Sequence, residues 1–208
     1  EQVHILNVSF MVPRMRREFG GCAGNIAYNL HKLGGDVLPM GTVGEDFEPY
    51  AKWMDRHGIR RDFVTVVPNT FTAQAFITTD LDDNQITAFH PGAMGHAHIN
   101  TVSQAPGVKL GIVSPDGRDG MLMHARQFAE ADIPFIFDPG QGLPMFSGKE
   151  LLTFLDEATY LSLNDYECSL FEDKTGKSKK ELAERVQAMI VTHGGEGSEI
   201  IANGKTVQ

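Results

Sequence analysis

The sequence predicts an α/β fold, in which helices cover a mostly parallel β-sheet and a small β-strand lid is attached. Two observations support this prediction. Short apolar strand patterns alternate with helical patterns along most of the chain, whereas residues 63–89 carry β-branched and aromatic segments with almost no helical pattern. With 208 residues, 41% of them hydrophobic and 22% charged, the chain is long enough to bury a core as one domain.

The chain begins with predicted strands, followed by a helix. Residues 3–10 are β-rich, and residues 14–19 could pair with them across a proline-containing turn. After a pair of glycines the pattern becomes helical, and it ends at two further glycines, which favour a helix stop. The apolar face of this helix is expected to carry Ile26, Leu30 and Leu33.

The remaining elements of the core follow in order, separated by short links. Strands are predicted at residues 37–43, 109–113, 134–137, 160–163, 189–192 and 199–202. Helices are predicted at residues 46–57, 116–131, 151–157, 165–171 and 181–187.

The lid is predicted from a hairpin pattern. Residues 71–79 and 85–89 flank a polar turn cluster, which is typical of a β-hairpin outside the main sheet. We therefore assign residues 1–20 and 62–92 to the lid. Residues 21–61 and 93–208 form the predicted α/β core, which we expect to be incomplete at its C-terminal end.

The composition argues against several classes of function. The formal net charge is −9 and the longest basic cluster covers only residues 14–17, whereas nucleic-acid binding needs a basic face. Cys22 and Cys168 are far apart, so neither a disulfide framework nor a structural zinc site is expected. The chain shows no apolar stretch of membrane-spanning length and no signal-peptide pattern, so we expect a cytoplasmic protein without membrane contact.

Three glycines, Gly20, Gly21 and Gly24, stand where a predicted strand passes into a helix. Glycine lets the backbone approach a ligand closely, and a helix start offers unpaired N–H groups. Asn25, one turn into the helix, can donate to and accept from hydroxyl groups. The pattern suits a polyol such as ribose, although a tight turn with a helix cap explains it equally well.

Two further motifs suit phosphates or a metal ion. Asn164 and Glu167 stand at a predicted helix start, where they could hold hydrated magnesium and phosphates or only form a capping box. Thr192, Gly194 and Gly197 lie where a predicted strand ends in a glycine-rich turn. The amides of such a turn could contact nucleotide phosphates, or the glycines could serve the turn alone.

The order of these motifs resembles that of the ribokinase/PfkB family of carbohydrate and nucleoside kinases, from Gln2 to about Ser198. Within the family, the chain looks closest to bacterial adenosine kinases of the mycobacterial type. This resemblance rests on residues 20–27, 78–80, 89–94, 138–143 and 164–167. It implies a ribokinase-like three-layer α/β/α core with a lid, ATP and Mg²⁺ as cofactors, and a homodimer formed through the lid.

On the substrate side, the resemblance implies that the Gly20-Gly21 pair and Asn25 hold the ribose hydroxyls. Phe89 would stack on adenine from the lid. The residues expected nearby are Gln74 or Ala75 in the lid and Gln141 in the core.

On the nucleotide side, the resemblance implies that Asn164 and Glu167 order Mg²⁺ and the phosphates, with Glu167 reaching the metal through water. The ATP site would contain Thr192, Gly194 and Gly197.

These resemblances lead us to expect phosphorylation of the 5′-hydroxyl of adenosine by ATP. The catalytic base of the family, the Asp of a Gly-Ala-Gly-Asp element, is expected beyond Gln208, and no Gly-x-Gly-Asp occurs in these residues. Three alternatives stay open: a sugar kinase of the same family acting on ribose or a sugar phosphate, a non-catalytic nucleoside-binding module, and a structural α/β domain.

Overall fold

The computed structural model describes residues 11–82 and 84–208. In chain order the helices and strands are α1 (Cys22–Lys32), β1 (Met40–Val43), α2 (Glu48–Arg56), β2 (Phe63–Val66), β3 (Gln74–Thr79), β4 (Gln85–His90), β5 (Gly111–Val113), α3 (Arg118–Glu130), β6 (Phe135–Phe137), α4 (Gly148–Glu157), β7 (Tyr160–Asn164), α5 (Asp165–Thr175), α6 (Lys179–Ala183), β8 (Ala188–Thr192), β9 (Ser198–Ala202) and β10 (Lys205–Val207). Short 3₁₀ helices occupy Glu45–Phe47, Gly92–Ile99, Val102–Gln104, Gly140–Met145 and Gly194–Glu196.

In the described part of the chain, the main sheet has six strands in the order β10-β9-β8-β7-β6-β5. Neighbouring strands from β5 to β8 are parallel, and β9 and β10 join antiparallel at one edge. Helices connect the parallel strands, as right-handed crossover connections require. The predicted α/β fold with a mostly parallel sheet is confirmed.

The core of the main sheet forms because every second residue of its parallel strands β5 to β8 is buried. Leu161 and Leu163 of β7 have at most 2% of their surface exposed, and Met189 and Val191 of β8 are equally buried. Phe154 of α4 packs on this layer with its ring stacked on Phe137 at 4.2 Å between centroids. The strand ends are thereby held in fixed positions, which matters for the polar residues that follow them.

A second, smaller unit contains β1 and β2, which pair in parallel. The buried Asn100 ties this pair to α3: its side chain donates to the Gly41 carbonyl and accepts from Thr65, while His124 of α3 contacts its backbone oxygen at 2.8 Å. The strand β2 falls inside the predicted lid range 62–92, and the structure places it beside β1. The boundaries of the lid stay a prediction.

The predicted hairpin is formed by β3 and β4, which among the described residues pair only with each other. The strand predicted at residues 3–10 lies outside the described residues. Its predicted partner at residues 14–19 is not in a strand. Among the described residues, no helix has the length and apolar character needed to cross a membrane.

The apolar face predicted for α1 is wrong at Leu30 and Leu33, whereas Ile26 is half-buried. Leu33 is 85% exposed and Leu30 is 38% exposed, whereas Ala27 is fully buried. The side of α1 that packs on the smaller core carries the buried Ala27 and the half-buried Tyr28, which contacts Trp53 at 5.4 Å between ring centroids.

The boundaries of α6 also differ from the prediction of 181–187. The helix begins earlier because Ser178 and Glu181 form a reciprocal capping box, and it ends at Ala183. A second reciprocal capping box, formed by Ser147 and Glu150, starts α4 before the predicted residue 151.

Candidate active site

The turn before α1 has the backbone geometry that the sequence pattern predicts. Gly21 precedes the helix with φ of 88°, a conformation that favours glycine, and no side chain caps the helix start. A Cβ atom added to Gly20 or Gly21 would meet no atom of the described residues within 4 Å, so the described part of the chain leaves the space above the turn open. Asn25 is exposed one turn into the helix. Among the described residues, the first amides of α1 therefore have no hydrogen-bond partner and could bind a ligand.

Polar side chains follow the parallel strands at one edge of the sheet. Asp116 comes shortly after β5, Asp138 directly after β6, and Asn164 and Thr192 end β7 and β8. Asn164 and Thr192 are paired in register, on strands about 4.8 Å apart. The carboxyl ends of parallel strands are the usual place for ligands in open α/β sheets.

Gln141 is brought to the same edge by a tight turn. The turn passes through Gly140, whose φ is 45° and whose added Cβ would lie 2.7 Å from the Pro115 ring. Gly140 therefore lies directly against Pro115, and this packs the segment after β6 against the segment after β5. Gln141 itself is exposed, so its side chain is available to a ligand.

Electrostatics show that the glycine turn lies beside this edge. Burial raises the pKa of the Cys22 thiol, and the negative charges of Asp138 and Asp116 raise it further. Burial also raises the pKa of Asp116, to about 6, against a hydrogen bond from the Gly117 amide. Burial and the charge of Glu167 raise the pKa of Asp138. The start of α1 is therefore close enough to the ends of β5 and β6 for their carboxylates to act on Cys22, and the region between these elements, called the cleft below, has a negative potential.

Asn164 and Glu167 form a reciprocal capping box at the start of α5. The Asn164 side chain accepts from the Glu167 amide at 2.7 Å, and the Glu167 carboxylate accepts from the Asn164 amide at 2.8 Å through one of its oxygens. This leaves one Glu167 oxygen uncommitted, near enough to Asp138 to affect its titration. The geometry is therefore compatible both with a helix cap alone and with binding of hydrated magnesium and phosphates.

The polar residues Asn164, Glu167 and Asp138 fit a hydrated magnesium ion better than a magnesium ion that is coordinated by protein side chains alone. In the part of the chain that is described, no group of three or more His, Cys, Asp or Glu side chains is arranged around a common metal position. Mg²⁺ typically keeps several waters and takes one or two carboxylates together with substrate phosphates. Glu167, with Asp138 nearby, meets that requirement.

The glycine-rich turn after β8 is open to ligands as well. Gly194 and Gly197 have φ of 58° and 102°, and an added Cβ at either would meet nothing within 4 Å. The His193 amide donates to the Gly197 carbonyl at 2.8 Å and closes the turn. Beside it lies a surface depression of about 460 Å³, lined by His193, Glu196, Gly197, Ser198, Glu199 and Gln208.

The lid residues Ala75 and Phe89 are direct partners across the hairpin and share one face. Phe89 is 55% exposed. Gln74, in contrast, donates to Asp46 at 2.8 Å, and Asp46 also accepts from the Thr72 amide at 2.7 Å. Asp46 thus anchors the root of the lid. Among the described residues, no hydrogen bond or ring contact joins Phe89 to the Gly20–Gly21 turn.

Sequence reasoning missed three of these residues as site components: Asp46, Asp116 and Asp138. The sequence contains one signal for two of them, because Asp116 and Asp138 each follow a short apolar strand. Their proximity to each other and to Cys22 depends on the pairing of β5 with β6, which sequence spacing does not specify.

Known proteins share this architecture. A family model described as pfkB family carbohydrate kinase matches residues 5–208. The nucleoside kinase of Methanocaldococcus jannaschii is 31% identical over 206 residues, covering 97% of this chain and 67% of that protein. The ribokinase of Bacillus subtilis is 26% identical, covering 90% of this chain and 64% of that protein. The chain thus spans about two thirds of the length of these relatives.

Solved structures of related proteins have the same fold as this chain. The nucleoside kinase of Burkholderia thailandensis, solved in complex with inosine, is 56% identical and superimposes with a TM-score of 0.93, covering 99% of this chain and 68% of that one. The Methanocaldococcus jannaschii nucleoside kinase, an archaeal member of the ribokinase family, gives a TM-score of 0.89 at 29% identity. The predicted ribokinase/PfkB resemblance is confirmed: the chain has a ribokinase-like α/β fold and belongs to the pfkB family of carbohydrate kinases.

Proposed function

We propose that the protein is an ATP-dependent nucleoside kinase that transfers the γ-phosphate of ATP to the 5′-hydroxyl of adenosine, giving AMP and ADP. The observation that carries the proposal is the position of the uncapped start of α1 beside the carboxyl ends of β5 and β6. A ribosyl group and a phosphate chain can meet in such a cleft. The inosine complex of the Burkholderia thailandensis enzyme supports a purine nucleoside as the substrate.

On the nucleoside side, we assign the ribose hydroxyls to the Gly20-Gly21 backbone and to Asn25. The exposed ring of Phe89 would stack on the base, with Ala75 beside it. Gln141 would contact the nucleoside from the core. This arrangement favours a nucleoside over a free sugar, because an aromatic ring contributes little to binding ribose alone.

On the nucleotide side, we assign the ATP phosphates to the turn of Gly194 and Gly197 and to Thr192. Asn164 and Glu167 would orient the phosphates and a hydrated Mg²⁺. When bound, Mg²⁺ would supply charge neutralisation at the transferring phosphate. In the reaction the 5′-oxygen forms a bond to the γ-phosphorus while the bond from that phosphorus to the bridging oxygen of ADP breaks. The base that accepts the hydroxyl proton would be the Asp of the Gly-Ala-Gly-Asp element.

An activity panel tests the substrate. The full-length protein is assayed for ADP formation with adenosine, inosine, ribose and fructose 6-phosphate. We expect kcat/KM for adenosine to exceed that for ribose by about tenfold or more, since base stacking contributes about 1–3 kcal/mol. Inosine is the second candidate substrate because of the inosine-bound relative. Equal turnover of ribose would refute the nucleoside assignment.

A pair of lid variants tests the stacking role. Phe89 is 55% exposed and Phe76 is 61% exposed, and they lie on opposite faces of the hairpin. We expect Phe89→Ala to lower kcat/KM for adenosine about tenfold and to leave ribose turnover unchanged. Phe76→Ala serves as the matched control and should not discriminate between the two substrates.

We also propose a homodimer formed through the lid. The supporting observation is that the face opposite Phe89 exposes Phe76 and Ile86, which are 61% and 67% exposed. Apolar side chains on a two-stranded hairpin gain stability when a second copy covers them. Sedimentation equilibrium should give the dimer mass, and Phe76→Asp should shift it to the monomer. A monomeric wild-type protein at micromolar concentration would refute this proposal.

A further inference from the structure

A cluster of aromatic side chains lies next to the Gly20–Gly21 turn. Phe19 stacks on Tyr50 of α2 at 4.6 Å between ring centroids, and Trp53 meets Tyr50 edge-on at 5.6 Å. Tyr28 of α1 joins through Trp53 at 5.4 Å. The cluster therefore fixes α1 against α2 and holds Tyr50 in one orientation.

The hydroxyl of Tyr50 contacts the turn directly. It donates to the backbone carbonyl of Gly20 at 3.0 Å, although the two residues are thirty positions apart. That carbonyl belongs to the peptide unit that also carries the Gly21 amide. The hydrogen bond therefore fixes the plane of the peptide immediately before the glycine with positive φ. Burial raises the pKa of Tyr50, which keeps its hydroxyl protonated and able to donate at neutral pH.

The same hydroxyl explains why residue 24 is glycine. A Cβ added to Gly24 would lie 2.0 Å from the Tyr50 oxygen and 3.1 Å from the ring carbon that bears it. The first turn of α1 thus passes against the hydroxyl at Gly24 as well as at Gly20. Tyr50 holds both ends of the segment that contains the free helix amides.

We propose that Tyr50 is a positioning residue for nucleoside binding: its hydrogen bond to Gly20 holds the turn so that the first amides of α1 and Asn25 face the ribose. This inference rests on the proposed nucleoside kinase function. A Gly-Gly peptide has unusual conformational freedom, and ordering it at each binding event lowers affinity. Because the hydrogen bond from Tyr50 orders this peptide before the ligand binds, less conformational entropy is lost on binding.

The central test is Tyr50→Phe in the full-length protein, which keeps the stacked ring and removes only the hydroxyl. We expect KM for adenosine to rise about three- to tenfold, the effect of one hydrogen bond. We expect kcat within about twofold of wild type and an unchanged KM for ATP, because the ATP site is elsewhere. The matched control is Tyr28→Phe, which removes a hydroxyl from the same cluster and should leave both KM values unchanged. An unchanged KM for adenosine in Tyr50→Phe would overturn the inference.

A double variant separates positioning from general stability. Gly24→Ala alone should raise KM for adenosine more than Tyr50→Phe does, because the new methyl group displaces the turn. Adding Tyr50→Phe to Gly24→Ala should lower KM again, since the nearest atom then lies at 3.1 Å instead of 2.0 Å. If the two effects simply multiply, the hydroxyl does not act through the turn and the inference fails.

A measurement without substrate distinguishes this inference from the proposed function. In the ligand-free protein, amide hydrogen exchange in residues 20–25 should be several-fold faster in Tyr50→Phe than in wild type or Tyr28→Phe. Turnover of adenosine by wild type, with the same exchange and KM in Tyr50→Phe, would overturn the role of Tyr50 alone. Absence of nucleoside turnover by wild type would overturn the proposed function and this inference with it.

Discussion

Replacing Asp116 with asparagine should make the protein more stable at neutral pH and leave it unchanged at acidic pH. Asp116 lies between β5 and α3, where burial raises its pKa from 3.8 to about 6. A raised carboxyl pKa means that the native state binds the proton more tightly than the unfolded chain. Between pH 3.8 and about 6 the native state therefore holds more protons, and stability falls as pH rises through this window.

The size of the effect follows from the same two values. A difference between 3.8 and about 6 corresponds to about 3 kcal/mol of lost stability above pH 6, since a tenfold change in proton affinity is about 1.4 kcal/mol. Asparagine has nearly the same shape, carries no charge and can still accept the hydrogen bond from the Gly117 amide. Asp116→Asn should therefore gain up to about 3 kcal/mol at pH 7.5 and almost nothing at pH 3.5.

Urea denaturation at the two pH values measures this difference. The matched control is Asp119→Asn, the same substitution in the first turn of α3, where the carboxylate is 77% exposed. That control should be nearly neutral or slightly destabilising at both pH values, because Asp119 favours the helix N-terminus. Equal stabilisation of Asp116→Asn at pH 3.5 and 7.5 would show that burial of the charge is not the cause.

Three further predictions concern the lid, the ATP turn and the core. Asp46→Asn should raise KM for adenosine by about three- to tenfold in steady-state kinetics, because it weakens the charged anchor of the lid root. Glu199→Gln should raise KM for ATP several-fold and leave KM for adenosine unchanged, since Glu199 holds both His193 beside the glycine turn and Lys179. Ser147→Ala should lower the melting temperature by about 2–4 °C in calorimetry, the effect of losing one helix cap of about 1 kcal/mol.

The main sheet could be predicted from sequence because local patterns and tertiary packing agree there. In β7 and β8, alternate apolar residues are the ones that are buried, so periodicity alone located both strands. The capping residue Asn164 lies where local hydrogen bonding decides the helix start. In these segments the neighbours along the chain contain most of the relevant information.

The inner face of α1 could not be predicted in this way. Periodicity favours large apolar residues as the buried face, but here the closest contacts are made by Gly24 and Ala27. Their role depends on Tyr50, which is far away in sequence. The same limit applies to Asp116 and Asp138, whose perturbed titration arises from burial and from neighbours on other strands.

The negative potential of the cleft bears on how it could accept ATP. Asp138 and Asp116 are desolvated, and the charge of Glu167 already raises the pKa of Asp138. With a formal net charge of −9, the chain offers a nucleotide little general attraction. Attraction for phosphates must then come from oriented amides, such as those of the Gly194–Glu196 turn, and from a cation that arrives with the nucleotide. We therefore expect the magnesium complex of ATP to bind and free ATP to be repelled.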